Sequence, residues 1–182
     1  MIEVKITSND HNKRLDKFVK KYLSKAPESF IYKLFRKKDI KVNKKPKHPE
    51  YILQAEDVVS IYISKEQELD FIEKISVSTS NSMDFKVIYE DENILIVNKP
   101  TNLLVHDGDG KLKNDDTLTK QVINYLIKTN SYDPKKENTF IPSLAHRIDR
   151  NTSGLVIFGK NYLALQELFF AFKDHDSSPP GI

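Results

Sequence analysis

The chain has 182 residues, 38% hydrophobic and 30% charged, with a net charge of +3, a composition that describes a soluble globular protein and excludes a disordered one. Cysteine is absent, which rules out disulfides and thiolate metal sites, and no apolar run nears the ~20 residues of a membrane-spanning helix. The start, MIEVKITSNDHNKRLDK, has no signal-peptide apolar region, so a cytoplasmic protein with no membrane partner is expected. A chain of this length holds one ordinary domain, or a small domain plus part of a larger one.

Charge is unevenly distributed. Residues 1–63 hold 15 Lys or Arg against 8 Asp or Glu, residues 64–140 hold 10 against 14, and residues 141–182 hold 4 of each. The positive excess is N-terminal, as in a polyanion-binding module, although charge alone describes a solvated lysine-rich surface equally well. Leu15, Phe18, Val19, Tyr22 and Leu23 recur at the spacing of an amphipathic helix, with Lys13, Lys17, Lys20 and Lys21 largely off the stripe. Pro27 suits the first turn of a second helix, whose apolar face is Ile31, Leu34 and Phe35 and whose outer face and end carry Lys33, Arg36, Lys37 and Lys38. Ile40-Lys41-Val42 reads as a strand entering a turn at Asn43-Lys44-Lys45-Pro46, and Val58, Val59, Ile61 and Ile63 as a closing strand. This makes a unit of about 50 residues, near the lower limit for independent folding.

Residues 64–84 are rich in acid, Ser and Asn and sustain no period, which predicts a linker. A second domain begins near Phe85, with strands at Val87-Ile88-Tyr89 and Ile94-Leu95-Ile96-Val97, the latter stopped by Asn98-Lys99-Pro100. Lys99 either supports a site electrostatically or ends the strand in solvent. The His106-Asp107-Gly108-Asp109-Gly110 loop has no established ligand spacing, so no metal is expected. Thr117–Lys128 has helical spacing, with Leu118, Val122, Tyr125 and Leu126 on one side. Residues 129–139 read as a surface loop anchored by Tyr132 and Phe140.

The most informative stretch is SLAHRIDRNTSGLVIFG, residues 143–159. Leu155–Phe158 is a continuous apolar run, expected to be a strand buried on both faces, and Asn151-Thr152-Ser153-Gly154 is turn chemistry. Upstream stand His146, Arg147, Asp149 and Arg150. A carboxylate between two arginines is expected to stay ionised, which suits a nucleophile or base, and equally an ordinary structural salt bridge. Beyond the strand, Tyr162, Leu165, Leu168, Phe169 and Phe172 predict a helix face packed on the sheet.

Two resemblances add to this reading. RLDKFV, FIYKLFRKKDIKVNKK and LQAEDVVSIYI resemble the S4 RNA-binding domain over residues 14–63. The resemblance implies phosphate contacts by Arg14, Lys33, Arg36, Lys37, Lys38, Lys41, Asn43, Lys44 and Lys45. YEDENILIVNKPTNLLVHDG resembles the first motif of large-subunit ribosomal RNA pseudouridine synthases, usually ending Lys-Pro-x-Gly; here Asn102 replaces the glycine and tolerates a left-handed backbone. HRIDRNTSG resembles the family's catalytic His-Arg-Leu-Asp-x-x-Thr-Ser-Gly, with only Ile148 for Leu, and the joint pattern is closest to the pseudouridine synthase C type.

This resemblance implies an α+β fold: a small α/β S4-like RNA-binding domain, residues 14–63, then a linker, 64–84. The first part of a mixed or antiparallel-sheet catalytic domain would follow over 85–176, then an irregular tail, 177–182. It implies uridine isomerisation in large-subunit ribosomal RNA with no cofactor. Asp149 would be the catalytic residue, and His146, Arg147, Arg150, Lys99 and Thr152 would form or support the substrate site. The family's later Lys-x-Tyr motif is not found: the chain runs through Lys173-Asp174-His175-Asp176 into SSPPGI, so the catalytic domain is expected to be cut short. A non-catalytic RNA-binding protein using only the basic module is the alternative.

Overall fold

The computed structural model describes residues 1–73, 75, 77–106 and 116–176, with side chains through 173. It divides into two compact units, residues 1–76 with 135–140, and residues 77–134 with 141–182. Among the described residues no helix is long and apolar enough to cross a membrane.

The first unit contains β1 (Ile2–Lys5), α1 (Leu15–Tyr22), α2 (Glu28–Arg36), β2 (Ile40–Val42), β3 (Lys45–Pro46), β4 (Val58–Ile61) and α3 (Lys65–Phe71). Its antiparallel sheet has the order β1-β4-β2-β3. The helical stripe read from sequence is the core: Leu15, Phe18, Val19 and Leu23 are buried from α1 and its end, and Ile31 and Leu34 from α2, against Ile40, Val42, Val59 and Ile61. The β2–β3 connection has Asn43 and Lys44 both at positive φ, 50° and 67°, the backbone of a type I′ hairpin turn. Buried Asp57 holds that turn, accepting from Asn43 Nδ2 (2.7 Å), Tyr51 Oη (3.1 Å) and Gln54 N (2.9 Å). β1 lies outside the span matched from sequence and supplies an outer strand of the sheet.

The stretch read as a linker is partly structured. Ser64 and Gln67 form a reciprocal capping box that starts α3, a helix too short to show the apolar period on which the linker expectation turns. Phe71 and Ile72 pack against the first core, with the rings of Phe30 and Phe71 4.9 Å apart.

The chain returns to the first unit at residues 135–140. That return is built on Asp10, which is fully buried and accepts from Thr7 Oγ1 (2.9 Å), Lys13 Nζ (3.2 Å), Asn138 Nδ2 (2.8 Å) and Thr139 Oγ1 (2.7 Å). A buried carboxylate is tolerable when every lone pair has a donor.

The second unit contains β5 (Lys86–Glu90), β6 (Ile94–Lys99), α4 (Leu118–Lys128), β7 (Ser143–Leu144), β8 (Gly154–Gly159) and α5 (Tyr162–Asp176). Its antiparallel sheet has the order β5-β6-β8-β7. The apolar run in β8 is not buried on both faces: Val156 and Phe158 are inaccessible, whereas Leu155 is 53% exposed. Alternation follows from an antiparallel strand with one covered face, and a short apolar run cannot distinguish that from burial on both sides. Thr117 caps α4, which buries Leu118, Val122 and Leu126, and Tyr132 and Phe140 are the buried anchors expected. A Cβ on Gly159 would lie 2.8 Å from Leu165 Cβ, so glycine permits the close approach of α5 to the end of β8. On α5 Leu165 is buried, but Phe169 is 42% exposed rather than packed on the sheet.

Asp10→Ala is expected to destabilise the first unit by about 3 kcal/mol, because Lys13, Thr7, Asn138 and Thr139 all lose this acceptor. Urea denaturation checks the magnitude, and faster amide hydrogen exchange over residues 135–140 checks that the returning segment is what loosens.

Candidate active site and nucleic-acid interface

The two motifs of the second unit meet at one end of its sheet. β6 ends at Lys99 and β8 begins at Gly154, and these two residues are register partners. The loop from β7 to β8 carries His146, Arg147, Asp149, Arg150 and Thr152. Gly154 has φ +153° with its nearest neighbour 3.8 Å from where a Cβ would stand, so backbone conformation rather than space calls for glycine.

Lys99 is inaccessible to solvent. Its ammonium donates to the carbonyls of Pro100 (2.8 Å), Leu103 (2.8 Å) and Arg150 (3.0 Å). The strand-end-in-solvent reading is therefore wrong: the lysine is a buried cross-brace between the Lys-Pro turn and the Asp149 loop. Burial pushes its ammonium below the ordinary lysine value. Three carbonyl acceptors match the three donors of an ammonium. Asn102 holds the turn at φ 66°, the left-handed conformation expected of a residue replacing glycine there. Arg150 Nε donates to the Asn102 carbonyl at 3.4 Å, a second and longer tie between the same segments.

Asp149 is exposed. Its carbonyl accepts from Thr152 N at 3.1 Å, closing a turn, so Thr152 acts through its backbone. Among the described residues the Asp149 carboxylate has no hydrogen bond or ion pair, and neither flanking arginine pairs with it. Arg147 is exposed, and Arg150 is directed to Asn102. The structural salt bridge that the sequence allowed is not formed. His146 is half-buried; its Nε2 accepts from Ile157 N at 3.3 Å, and its ring lies 4.7 Å from that of Phe172 on α5. It fastens the loop to β8 and α5. Burial pushes its imidazole below the ordinary histidine value, consistent with an acceptor nitrogen.

Sequence reasoning missed a polar cavity of about 390 Å³ at this end of the sheet, lined in part by Asp84, Lys86, Asn98, Ser153 and Gly154. These residues are far apart in the chain and share only the strand ends. Asp107 and Asp109 lie outside the described residues.

In the first unit, α2 and the following hairpin expose Lys33, Arg36, Lys37, Lys38, Lys44 and Lys45. Lys41 is half-buried, with its ammonium over the Tyr62 ring at 4.6 Å. Two residues proposed from sequence are otherwise engaged. Arg14 makes a two-pronged pair with buried Asp16, at 3.1 and 2.9 Å. The Asn43 amide donates to Asp57 and accepts from Val58 N. Burial pushes the Asp16 carboxyl up, but Arg14 and the Lys17 amide outweigh this and hold it below the usual range. A groove of about 880 Å³ beside α2 is lined by Tyr32, Phe35, Arg36, Lys38, Lys47 and His48 among others; Tyr32, Lys47 and His48 were not singled out from the sequence.

These features define a basic α+β unit joined to an α+β domain that presents an exposed aspartate on a braced loop. Residues 93–178 match the RNA pseudouridylate synthase family. The chain is similar to an uncharacterized RNA pseudouridine synthase of Mycoplasma capricolum, at 39% identity over 94% of this chain and 54% of that protein. It is also similar to ribosomal large subunit pseudouridine synthase C of Escherichia coli K12 (34%; 91% and 48%) and of Vibrio parahaemolyticus (33%; 94% and 51%). The family match thus covers residues 93–178, and the chain spans about half the length of these curated relatives.

Lys99→Met is expected to cost about 3 kcal/mol, since three carbonyls, that of Leu103 buried, lose a charged donor. Thermal denaturation measures the loss, and hydrogen exchange over residues 149–154 locates it. For His146 the folded value lies below the unfolded one. The unfolded chain therefore takes up the proton first, and stability falls as pH drops below about 6.5. An NMR titration should place the His146 midpoint below that of an unfolded-chain histidine, and His146→Gln should flatten the stability profile over that range.

Proposed function

We propose that this chain is an RNA pseudouridine synthase acting on large-subunit ribosomal RNA, with Asp149 as its nucleophile. The observation that carries the reading is the exposed Asp149 carboxylate, without a partner among the described residues, on a loop whose Arg150 carbonyl is held by buried Lys99. In the isomerisation the bond from C1′ to N1 of uracil breaks and one from C1′ to C5 forms. The C5 proton is lost to solvent and N1 gains one. Asp149 acts by adding to the sugar or the base, or by taking a ribose proton. Because a stacked base cannot turn over in place, the uridine leaves the stack first. Arg147, exposed beside Asp149, serves the flipped site or the vacated space, and His146, Arg150 and Thr152 set the loop.

The first unit is read as an S4-like RNA-binding module. Its exposed Lys33, Arg36, Lys37, Lys38, Lys44 and Lys45, with Lys41, would contact phosphates, giving affinity and register with little sequence discrimination. No cofactor enters the scheme.

Incubation with large-subunit RNA carrying 5-tritiated uridine should release tritium, and Asp149→Ala should abolish release while leaving RNA affinity and the circular dichroism spectrum unchanged. RNA binding with no release from the unaltered chain would instead support a non-catalytic binding module. Replacing Lys33, Arg36 and Lys37 together by Glu should weaken binding steeply and lower the salt dependence by about three charges; unchanged affinity would refute the phosphate-contact assignment.

A further inference from the structure

Phosphate contact explains the cations of the first unit but not the groove beside them. A duplex backbone presents charged oxygens to a flat basic surface and has no use for an aromatic recess. This groove has a volume of about 880 Å³ and an apolar lining that includes Tyr32 and Phe35, with Arg36, Lys38, Lys47 and His48 alongside. Tyr32 is 41% exposed, and the Lys20 ammonium sits 4.9 Å from its ring centroid.

Lys38 adds a further cation to the same lining. It occupies the residue after the α2 cap with φ 61°. There the Asp39 amide donates to the Leu34 carbonyl (2.9 Å) and the Lys38 amide to the Phe35 carbonyl (3.0 Å). This is a Schellman ending, at which glycine is the unstrained residue. A long cationic side chain is kept in a left-handed backbone where it lines the groove. Lys44 and Glu56 adopt the same left-handed backbone outside this lining, so what bears on the groove is the place of Lys38 in its wall.

We propose that this groove receives a single unpaired nucleotide of the RNA, its base against Tyr32 and Phe35 with His48 at the margin and its phosphate held by Arg36, Lys38 and Lys47. The charge of the rim selects a polyanion, and the aromatic lining selects one whose bases are unstacked, as in loops and bulges. The inference rests on the RNA-binding reading above. It gives the first unit a second role, that of distinguishing looped from fully paired RNA.

The test uses the full chain with two labelled RNAs of equal length, a hairpin with an unpaired loop and a blunt duplex. The unaltered protein should prefer the hairpin. Tyr32→Leu, which keeps apolar bulk at an exposed position, should weaken hairpin binding about tenfold and leave duplex binding unchanged, by loss of base stacking. Lys38→Gly should also weaken hairpin binding without lowering the melting temperature. A 4-thiouridine in the loop should cross-link to the peptides carrying Tyr32 or His48. Equal affinity for both RNAs, insensitive to Tyr32→Leu, would overturn the groove assignment while leaving the phosphate reading intact. Failure to bind either RNA would overturn both.

Discussion

The second unit depends on a single ammonium group. Lys99 sits at the last position of β6, inaccessible to solvent, and its three N–H bonds end on the carbonyls of Pro100, Leu103 and Arg150. Taking a charged amine out of water is costly, and the cost is offset only if all three donors stay engaged. The turn after β6 and the loop before β8 are thereby held to one geometry. Arg150 is adjacent to Asp149, so the acid's backbone is positioned without any contact to its carboxylate. Gly154 completes the arrangement by returning the chain to the sheet at φ +153°. A lysine that reads as a surface residue is thus the internal support of the candidate site.

Carboxylates elsewhere in the chain show what a structural acid looks like in this protein. Asp10 is fully buried and has four side-chain donors. Asp57 braces the β2–β3 turn through three. Glu90 accepts from Tyr125, Ser131 and Lys160; burial pushes its carboxyl up, and Lys160 and Tyr125 bring it below the ordinary value. Asp149 differs from all of these in exposure and in lacking a partner among the described residues. Its motif places it between two arginines, yet the folded loop directs Arg150 to Asn102. The same sorting applies to the basic face, where Arg14 and Asn43 are committed to Asp16 and Asp57 while the lysines of α2 and the hairpin remain in solvent.

Departures from the sequence reading have specific causes. The helix α3 begins at a capping box and is too short to show an apolar period, so composition dominated and a linker was expected. β8 has four consecutive apolar residues, a pattern shared by strands covered on one face and on two. Arg14 stands two residues from Asp16, a separation at which pairing depends on the dihedral angles at the start of α1. In each case the deciding quantity was which side of a short segment met another segment.

Local pattern alone carried the amphipathic helices α1 and α2, the strand runs, a turn starting at Asn43-Lys44 (though Lys45–Pro46, read as part of it, is strand β3), the tolerance of Asn102 for a left-handed turn, and the resemblance of the stretch around Asp149. These are local properties: periodicity, turn chemistry and residue order survive without knowledge of distant neighbours. Tertiary contacts settled that Lys99 is buried, that Asp149 lacks a partner among the described residues, that residues 135–140 return to Asp10, and that Tyr32, Lys47 and His48 share a groove with Arg36. Each is a relation between residues remote in the chain. The free energy of a buried ammonium or carboxylate depends on how many partners folding brings to it, and no local pattern encodes that number.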